Sequence, residues 1–177
     1  LKMSKNPDYS IKTRAKTFYF ASIFFKKNIK EEINTLYIFC RYVDDISDSG
    51  HFSKPQAKQK LKGIIKDLIQ KRSKDPIVKN FIKLMKKKKI QSRTPIMLIN
   101  GVMQDLNIVK LKSLEELLIY SYKVAGTVGL MVCNILEVKK RNMKFKGIQL
   151  GIAMQITNII RDIDEDLKRN RMYFPLE

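Results

Sequence analysis

Two stretches of this sequence put aspartates where a helix ordinarily buries apolar side chains, and this limits the fold more than any other feature. Over residues 33–48, Ile33, Tyr37, Cys40 and Asp44 recur at steps of three and four, and Tyr37, Arg41, Asp44 and Asp48 continue the row. Such steps bring side chains to one helical face, about one turn apart. Over residues 148–166, Ile148, Ile152, Ile156, Ile159 and Ile163 form an apolar stripe, with Gln155, Asn158, Asp162 and Asp166 beside it, about 60° round the helix. Helices of soluble proteins usually turn acids to water, because burying an unpaired carboxylate is costly or shifts its protonation. Asp44, Asp45 and Asp48 would also repel one another, so a cation is expected among them.

The rest of the chain is helical in period as well. Ile11, Ala15, Phe18, Ser22 and Phe25 make a first stripe; Lys26-Lys27-Asn28 breaks it, and a second helix is predicted from near Lys30. Ala57, Leu61, Ile64, Ile65 and Leu68 mark a third. Asp75-Pro76 and Thr94-Pro95 each offer a cap before a proline at the first helical position. Ser113 with Glu116 is a capping-box pattern opening a helix to about Glu137 despite Gly126 and Gly129, and a last helix is predicted from about Lys144 to Lys168. No alternating strand or two-residue hairpin turn stands out. The class expected is all-α, in a single domain over residues 1–177.

Composition narrows the partners. With 44% hydrophobic residues the chain can bury a core, and its formal charge of +19 favours anionic partners: nucleic acid, an acidic membrane face or a phosphorylated substrate. Residues 54–93 hold 15 Lys or Arg against two Asp. That run carries little aromatic or Arg interleaving, and Phe81 falls on the apolar side of its helix, so a solvated outer face is expected rather than a nucleic-acid site. Two separated cysteines, Cys40 and Cys133, and the single histidine His51 exclude a Cys/His zinc centre. The longest nearly apolar run, Gly129 to Ile135, is far short of the roughly 18 residues a spanning helix needs, and no signal-peptide order opens the chain. The default expectation is a cytoplasmic protein. A chain that begins at Leu1 and stops at Leu176-Glu177 just after a proline reads as a piece of a longer polypeptide.

Two i, i+4 aspartate pairs on separate helices supply hard oxygen ligands suited to Mg²⁺, which keeps waters and takes one or two carboxylates plus substrate phosphates. A single such pair would be ordinary surface acid; two of them, each beside an inward stripe and each followed by Arg, point to a diphosphate held and neutralised as it leaves. The chemistry implied is carbon–oxygen ionisation.

The segment Tyr37-Ile-Phe-Cys-Arg41-Tyr-Val-Asp44-Asp45-Ile-Ser-Asp48 and the segment Gln155-Ile-Thr-Asn158-Ile-Ile-Arg161-Asp162-Ile-Asp-Glu-Asp166, closing in Arg171-Met-Tyr173-Phe-Pro175, resemble the two signatures of squalene and phytoene synthases. Lys16-Thr17-Phe18, Pro95 through Gly101 to Asp105-Leu106, and Tyr120 with Val124 to Gly129 resemble further family segments in the same order. The resemblance implies an isoprenoid synthase fold around a central cavity, its C-terminal helices lying beyond Pro175, and head-to-head condensation of two prenyl diphosphates through a cyclopropylcarbinyl diphosphate. Carried over by motif, Asp44, Asp48, Asn158, Asp162 and Asp166 would bind Mg²⁺, with Mn²⁺ able to replace it. Lys16, Arg41, Arg161 and Arg171 would steady phosphate oxygens, and Tyr120 and Gln155 would line the reaction centre. Phe18, Tyr37 and Tyr120 offer aromatic faces to a carbocation. Ala15 departs from the Ser found in many members, which removes one expected hydrogen bond to a diphosphate.

Val124 to Leu130-Met131 and Phe39 to Asp45 look most like bacterial phytoene synthases, which implies geranylgeranyl diphosphate as substrate and phytoene as product. The alternative is squalene or dehydrosqualene formation from farnesyl diphosphate, with NADPH needed only for squalene. A non-catalytic assembly factor of the same fold would keep the helices but lose the acids, which this chain retains. Lipid substrates and a cationic surface together predict loose association with the inner face of a membrane.

Overall fold

The computed structural model describes residues 25–48 and 50–175. The first predicted helix, with Lys16 and Phe18, lies outside the described residues. Helix α1 spans Lys27–Asp48, α2 Lys54–Gln70, α3 Pro76–Lys88 and α4 Arg93–Gln104. Next, α5 (Leu114–Ser121) passes through a π-helical turn, Tyr122–Gly126, into α6 (Thr127–Ile135) without a break in the helix. Helix α7 (Arg141–Arg161) and the short α8 (Ile163–Lys168) follow. The all-α expectation holds apart from one two-residue parallel bridge, β1 (Val109–Lys110) against β2 (Arg171–Met172).

Local sequence explains most boundaries. Asp75 caps α3 by accepting from the N–H groups of Ile77 and Val78 at 2.9 and 3.1 Å, and its second oxygen accepts from the Tyr42 hydroxyl at 2.6 Å, which ties the start of α3 to α1. Ser53 and Gln56 make a full capping box on α2. Ser113 accepts from the Glu116 N–H, but the Glu116 carboxylate turns to the N–H of Lys112, so only half of the expected box forms. Helix α4 starts at Arg93, not after Thr94; Pro95 sits in the first turn, where its missing N–H leaves no bond unmade. The second helix likewise begins at Lys27, three residues before Lys30.

The main core lies among α1 to α4 and α6. Its α1 ridge is Ile33, Leu36, Phe39, Val43 and Ile46, with Phe39 stacked on Phe81 of α3 at 3.7 Å between centroids. The predicted row Tyr37, Cys40, Asp44 is one step round from that ridge and only half-buried. Helix α7 departs further from expectation: of its isoleucine stripe only Ile159 is buried, while Ile148, Ile152 and Ile156 are half-buried and Ile163 is exposed. The reason is that α7 packs along one side only, against α5, the π turn and α6. Leu150, Met154 and Ile160 on its other side face outward.

That one-sided seam is close because it is lined by glycine. A Cβ at Gly129 would collide with the Gly147 carbonyl oxygen, and one at Gly151 with the Ala125 carbonyl oxygen. Gly126 and Gly129 thus serve helix packing, with the π turn as the local irregularity. The continuous helix Leu114–Ile135 is long and apolar enough to cross a membrane by length and composition, contrary to the reading of the sequence. It runs through the middle of the structure between α4 and α7, with Leu117, Tyr120, Met131 and Ile135 buried.

The seam can be tested by substitution. Gly129→Ala places a methyl group against backbone that cannot swing aside and is expected to cost about 2 kcal/mol or more in urea unfolding. Gly63→Ala, in α2 with nothing within 4 Å of the added carbon, should stabilise by about 0.5–1 kcal/mol. Equal effects of the two changes would contradict the seam.

Candidate functional site

One end of the helix bundle is a polar cleft of about 320 Å³. It collects the C-terminal parts of α1 (Arg41, Asp44, Asp48), α4 (Val102, Asp105) and α7 (Gln155, Asn158), together with Tyr120, Asp162, Asp166, Arg171 and Tyr173. Three helix C-termini meet here, and their partial negative charge adds to the acids in favouring a cation.

The carboxylates are unevenly matched. Asp44 is half-buried, and its carboxyl is pushed up to about 7, first by burial and then by the charge of Asp48, with Arg41 opposing. Burial likewise raises Asp166, against the pull of Arg171. Asp162 is held below the usual range by Arg161, whose Nε and Nη2 donate to its two oxygens at 2.7 and 2.6 Å. Asp48 accepts from Arg171 at 2.8 Å, with Arg169 3.6 Å away, and Asp45 pairs with Arg41 at 2.8 Å. Arg41 Nε is buried without a hydrogen-bond partner among the described residues, a donor left over for an anion.

The chain closes the cleft with its own last residues. Arg171 reaches both the Asp48 carboxylate and, at 3.3 Å, the Asp105 backbone carbonyl. The Tyr120 and Tyr173 hydroxyls donate to the two Asp105 oxygens at 2.9 and 2.8 Å, and their rings stack at 4.7 Å. Burial pushes the Asp105 carboxyl up to about 6 despite those donors, and both phenols are raised by burial first and by Asp105 next, so both stay neutral donors. The β1–β2 bridge, with the Leu111 N–H on the Met172 carbonyl at 3.0 Å, carries this segment across.

Of the residues singled out in the sequence, Arg41, Asp44, Asp48, Tyr120, Gln155, Asn158, Asp162, Asp166 and Arg171 share this cleft. Tyr37 packs against the main core instead, because it lies on the core side of the α1 row. Arg161 is outside the lining, drawn onto its neighbour Asp162. The predicted continuous last helix breaks at Asp162, whose backbone leaves helical geometry. Asp105 and Tyr173 join the cleft without having been singled out as site residues, although Leu98, Val102 and Asp105 follow the same inward spacing that reveals the other acids.

Among the described residues no three acidic side chains converge closely enough to form a ready metal site. The donor set nonetheless fits Mg²⁺: every candidate is a hard oxygen, and the upward shifts of Asp44 and Asp166 mark carboxylates that a cation would relieve. Asp162 and Asp48 would have to exchange their arginines for it.

The profile of the squalene/phytoene synthase family matches residues 11–177. The phytoene synthase of Thermus thermophilus is 32% identical over 179 residues, covering 98% of this chain and 61% of that protein. The chloroplastic phytoene synthase of Narcissus pseudonarcissus is 30% identical over 169 residues, covering 91% of this chain and 40% of its own length. A dehydrosqualene synthase crystal structure superposes with a TM-score of 0.84 at 27% identity, over 93% of this chain and 58% of the other. Squalene synthase HpnC from Alicyclobacillus acidocaldarius shares the fold, with a TM-score of 0.81 at 21% identity over 93% of this chain and 62% of the other. The chain therefore spans less than two thirds of the length of these relatives.

The raised Asp44 carboxyl has a sign that can be checked. Between the ordinary carboxylate value of about 4 and its folded value of about 7, the folded state binds more protons than the unfolded one. Stability of the metal-free protein should therefore fall as pH rises through that window, with Asp105 adding in the same sense up to about 6. Asp44→Asn should melt at a higher temperature than the parent at pH 8 in chelator and lose the stabilisation that Mg²⁺ gives the parent. Identical pH profiles for the two proteins would contradict the assignment.

Proposed function

The chain belongs to the squalene/phytoene synthase family, and on that premise we propose that it condenses two prenyl diphosphates head to head, with geranylgeranyl diphosphate as substrate and phytoene as product. The observation that carries this reading is the convergence of the α1 acids and the α7–α8 acids on one cleft with a spare arginine donor. Identity of about 30% to phytoene synthases supports the choice of substrate.

Asp44 and Asp48 on one wall and Asn158, Asp162 and Asp166 on the other would hold Mg²⁺. Bound there, the metal supplies Lewis-acid neutralisation of a departing diphosphate. Arg41 and Arg171 donate to phosphate oxygens, and Arg161, exposed beside Asp162, is free to turn to the same anion. The first condensation joins two substrates as a cyclopropylcarbinyl diphosphate with release of one diphosphate and a proton. Ionisation of that species releases the second diphosphate, and rearrangement with loss of a proton gives the C1–C1′-linked hydrocarbon.

Through both steps the chain must keep water from a cation and offer it aromatic faces. The stacked Tyr120 and Tyr173 rings do this at the inner side of the cleft, and Asp105 fixes their orientation through both hydroxyls. Val102, Val124 and Ile159 make the apolar part of the lining. Phytoene formation needs no reductant, whereas squalene formation would need NADPH.

Incubation with Mg²⁺ and, separately, geranylgeranyl and farnesyl diphosphate, followed by mass spectrometry, tests the proposal. The expected result is a C40 hydrocarbon without NADPH. A C30 product would move the reading to farnesyl diphosphate, and no diphosphate release from either, in folded and metal-replete protein, would overturn it.

A further inference from the structure

The end of the bundle opposite the acidic cleft has the reverse character. Helix α7 runs the distance between them, about 30 Å for its 21 residues. At its start Lys139, Lys140, Arg141, Lys144 and Lys146 follow one another with no acid among them, and α7 as a whole contains none. Cations are disfavoured at a helix N-terminus, so the fold tolerates here a cost that an anionic surface would remove. The nearby acids are already matched: Glu32 pairs with Lys87 and Lys88 at 2.9 and 3.0 Å, and Glu137 with Lys88 at 2.8 Å.

Among these charges sit side chains that water does not favour. Phe145 is 59% exposed and Met143 48%. Phe145 and Leu130 line a cleft of about 480 Å³ whose cationic members are Lys89, Arg93, Arg141 and Lys144. Exposed apolar groups ringed by Lys and Arg are the pattern of a surface that lies on acidic lipid headgroups and inserts a few side chains.

We propose that this basic end, centred on Lys139–Lys146 with Met143 and Phe145, docks the protein on a membrane surface rich in anionic phospholipid, leaving the acidic cleft facing away. Such a surface would supply lipid substrates and accept the product; the proposal rests on the proposed function for its purpose alone, since charge and exposure argue for it independently.

The chain contains no tryptophan, so a single Phe145→Trp substitution gives an unambiguous reporter. With vesicles containing phosphatidylglycerol as about a third of the lipid, the emission of this variant should shift to the blue and the protein should sediment with the vesicles, reversibly with salt. Pure phosphatidylcholine should do neither. Ile69→Trp, at a position 62% exposed on α2, should not shift. Replacing Lys139, Lys140, Lys144 and Lys146 by Gln should weaken vesicle binding at least about tenfold, while the same change at Lys54, Lys58, Lys62 and Lys66 on α2 should cost less than about twofold.

Equal losses in the two quadruple variants would overturn the proposal. So would a Phe145→Trp protein whose emission is already blue-shifted without lipid, as burial against a second copy or another segment would produce, or one that responds to random-sequence DNA and not to vesicles. Circular dichroism establishes that each variant is folded. Because binding is read without substrate, its failure is separate from a failure to release diphosphate.

Discussion

Everything at the working end of this molecule depends on bringing carboxylates of like charge together in a half-buried cleft. Left alone they repel, and the structure contains the repulsion in two ways. Asp48, Asp45 and Asp162 are matched by arginines, while Asp44 and Asp105 are pushed toward the protonated form. Neither device removes the tension entirely, since three helix C-termini also point their negative ends into the same space. Such an arrangement is stable enough to fold and remains receptive to a cation and an anion together, which is what a metal diphosphate is.

The cleft keeps its shape because the elements that build it are tied from outside. Tyr42 and Asp75 fasten α3 to α1, glycines let α7 approach α5–α6 at backbone contact, and the 171–173 segment bridges Asp48 and Asp105. Asp105 is central to that closure: one side chain orients two stacked tyrosines and its backbone receives Arg171. At the far end the charge inverts, so the molecule carries an acidic pole for diphosphate metal and a basic pole about one long helix away.

Helical period alone makes the fold class legible, and the inward spacing of Asp44, Asp48, Asp162 and Asp166 points to the cleft from the sequence itself. Asp105 follows the same rule but escapes notice because it stands alone on its helix, with no second acid to mark it. Tyr37 is misplaced by sequence reasoning because two rows on α1, one toward the core and one toward the cleft, differ by a single helical step. The break at Asp162 and the π turn at Tyr122–Gly126 leave no sequence mark, since both follow from tertiary contacts: the 171–173 latch and the glycine seam. Thr94-Pro95 misleads because proline is tolerated anywhere in a first turn, not only at its opening position.

The central claim is that acids from both ends of the chain hold one cation cluster. Calorimetric titration of Mg²⁺ with inorganic diphosphate into the parent, Asp48→Asn, Asp166→Asn and the double variant measures this directly. Each single change should weaken binding at least about tenfold, and the double should lose clearly less than the product of the two, because the first loss already empties the shared site. Losses that multiply, or a single variant that binds as the parent does, would contradict a shared site.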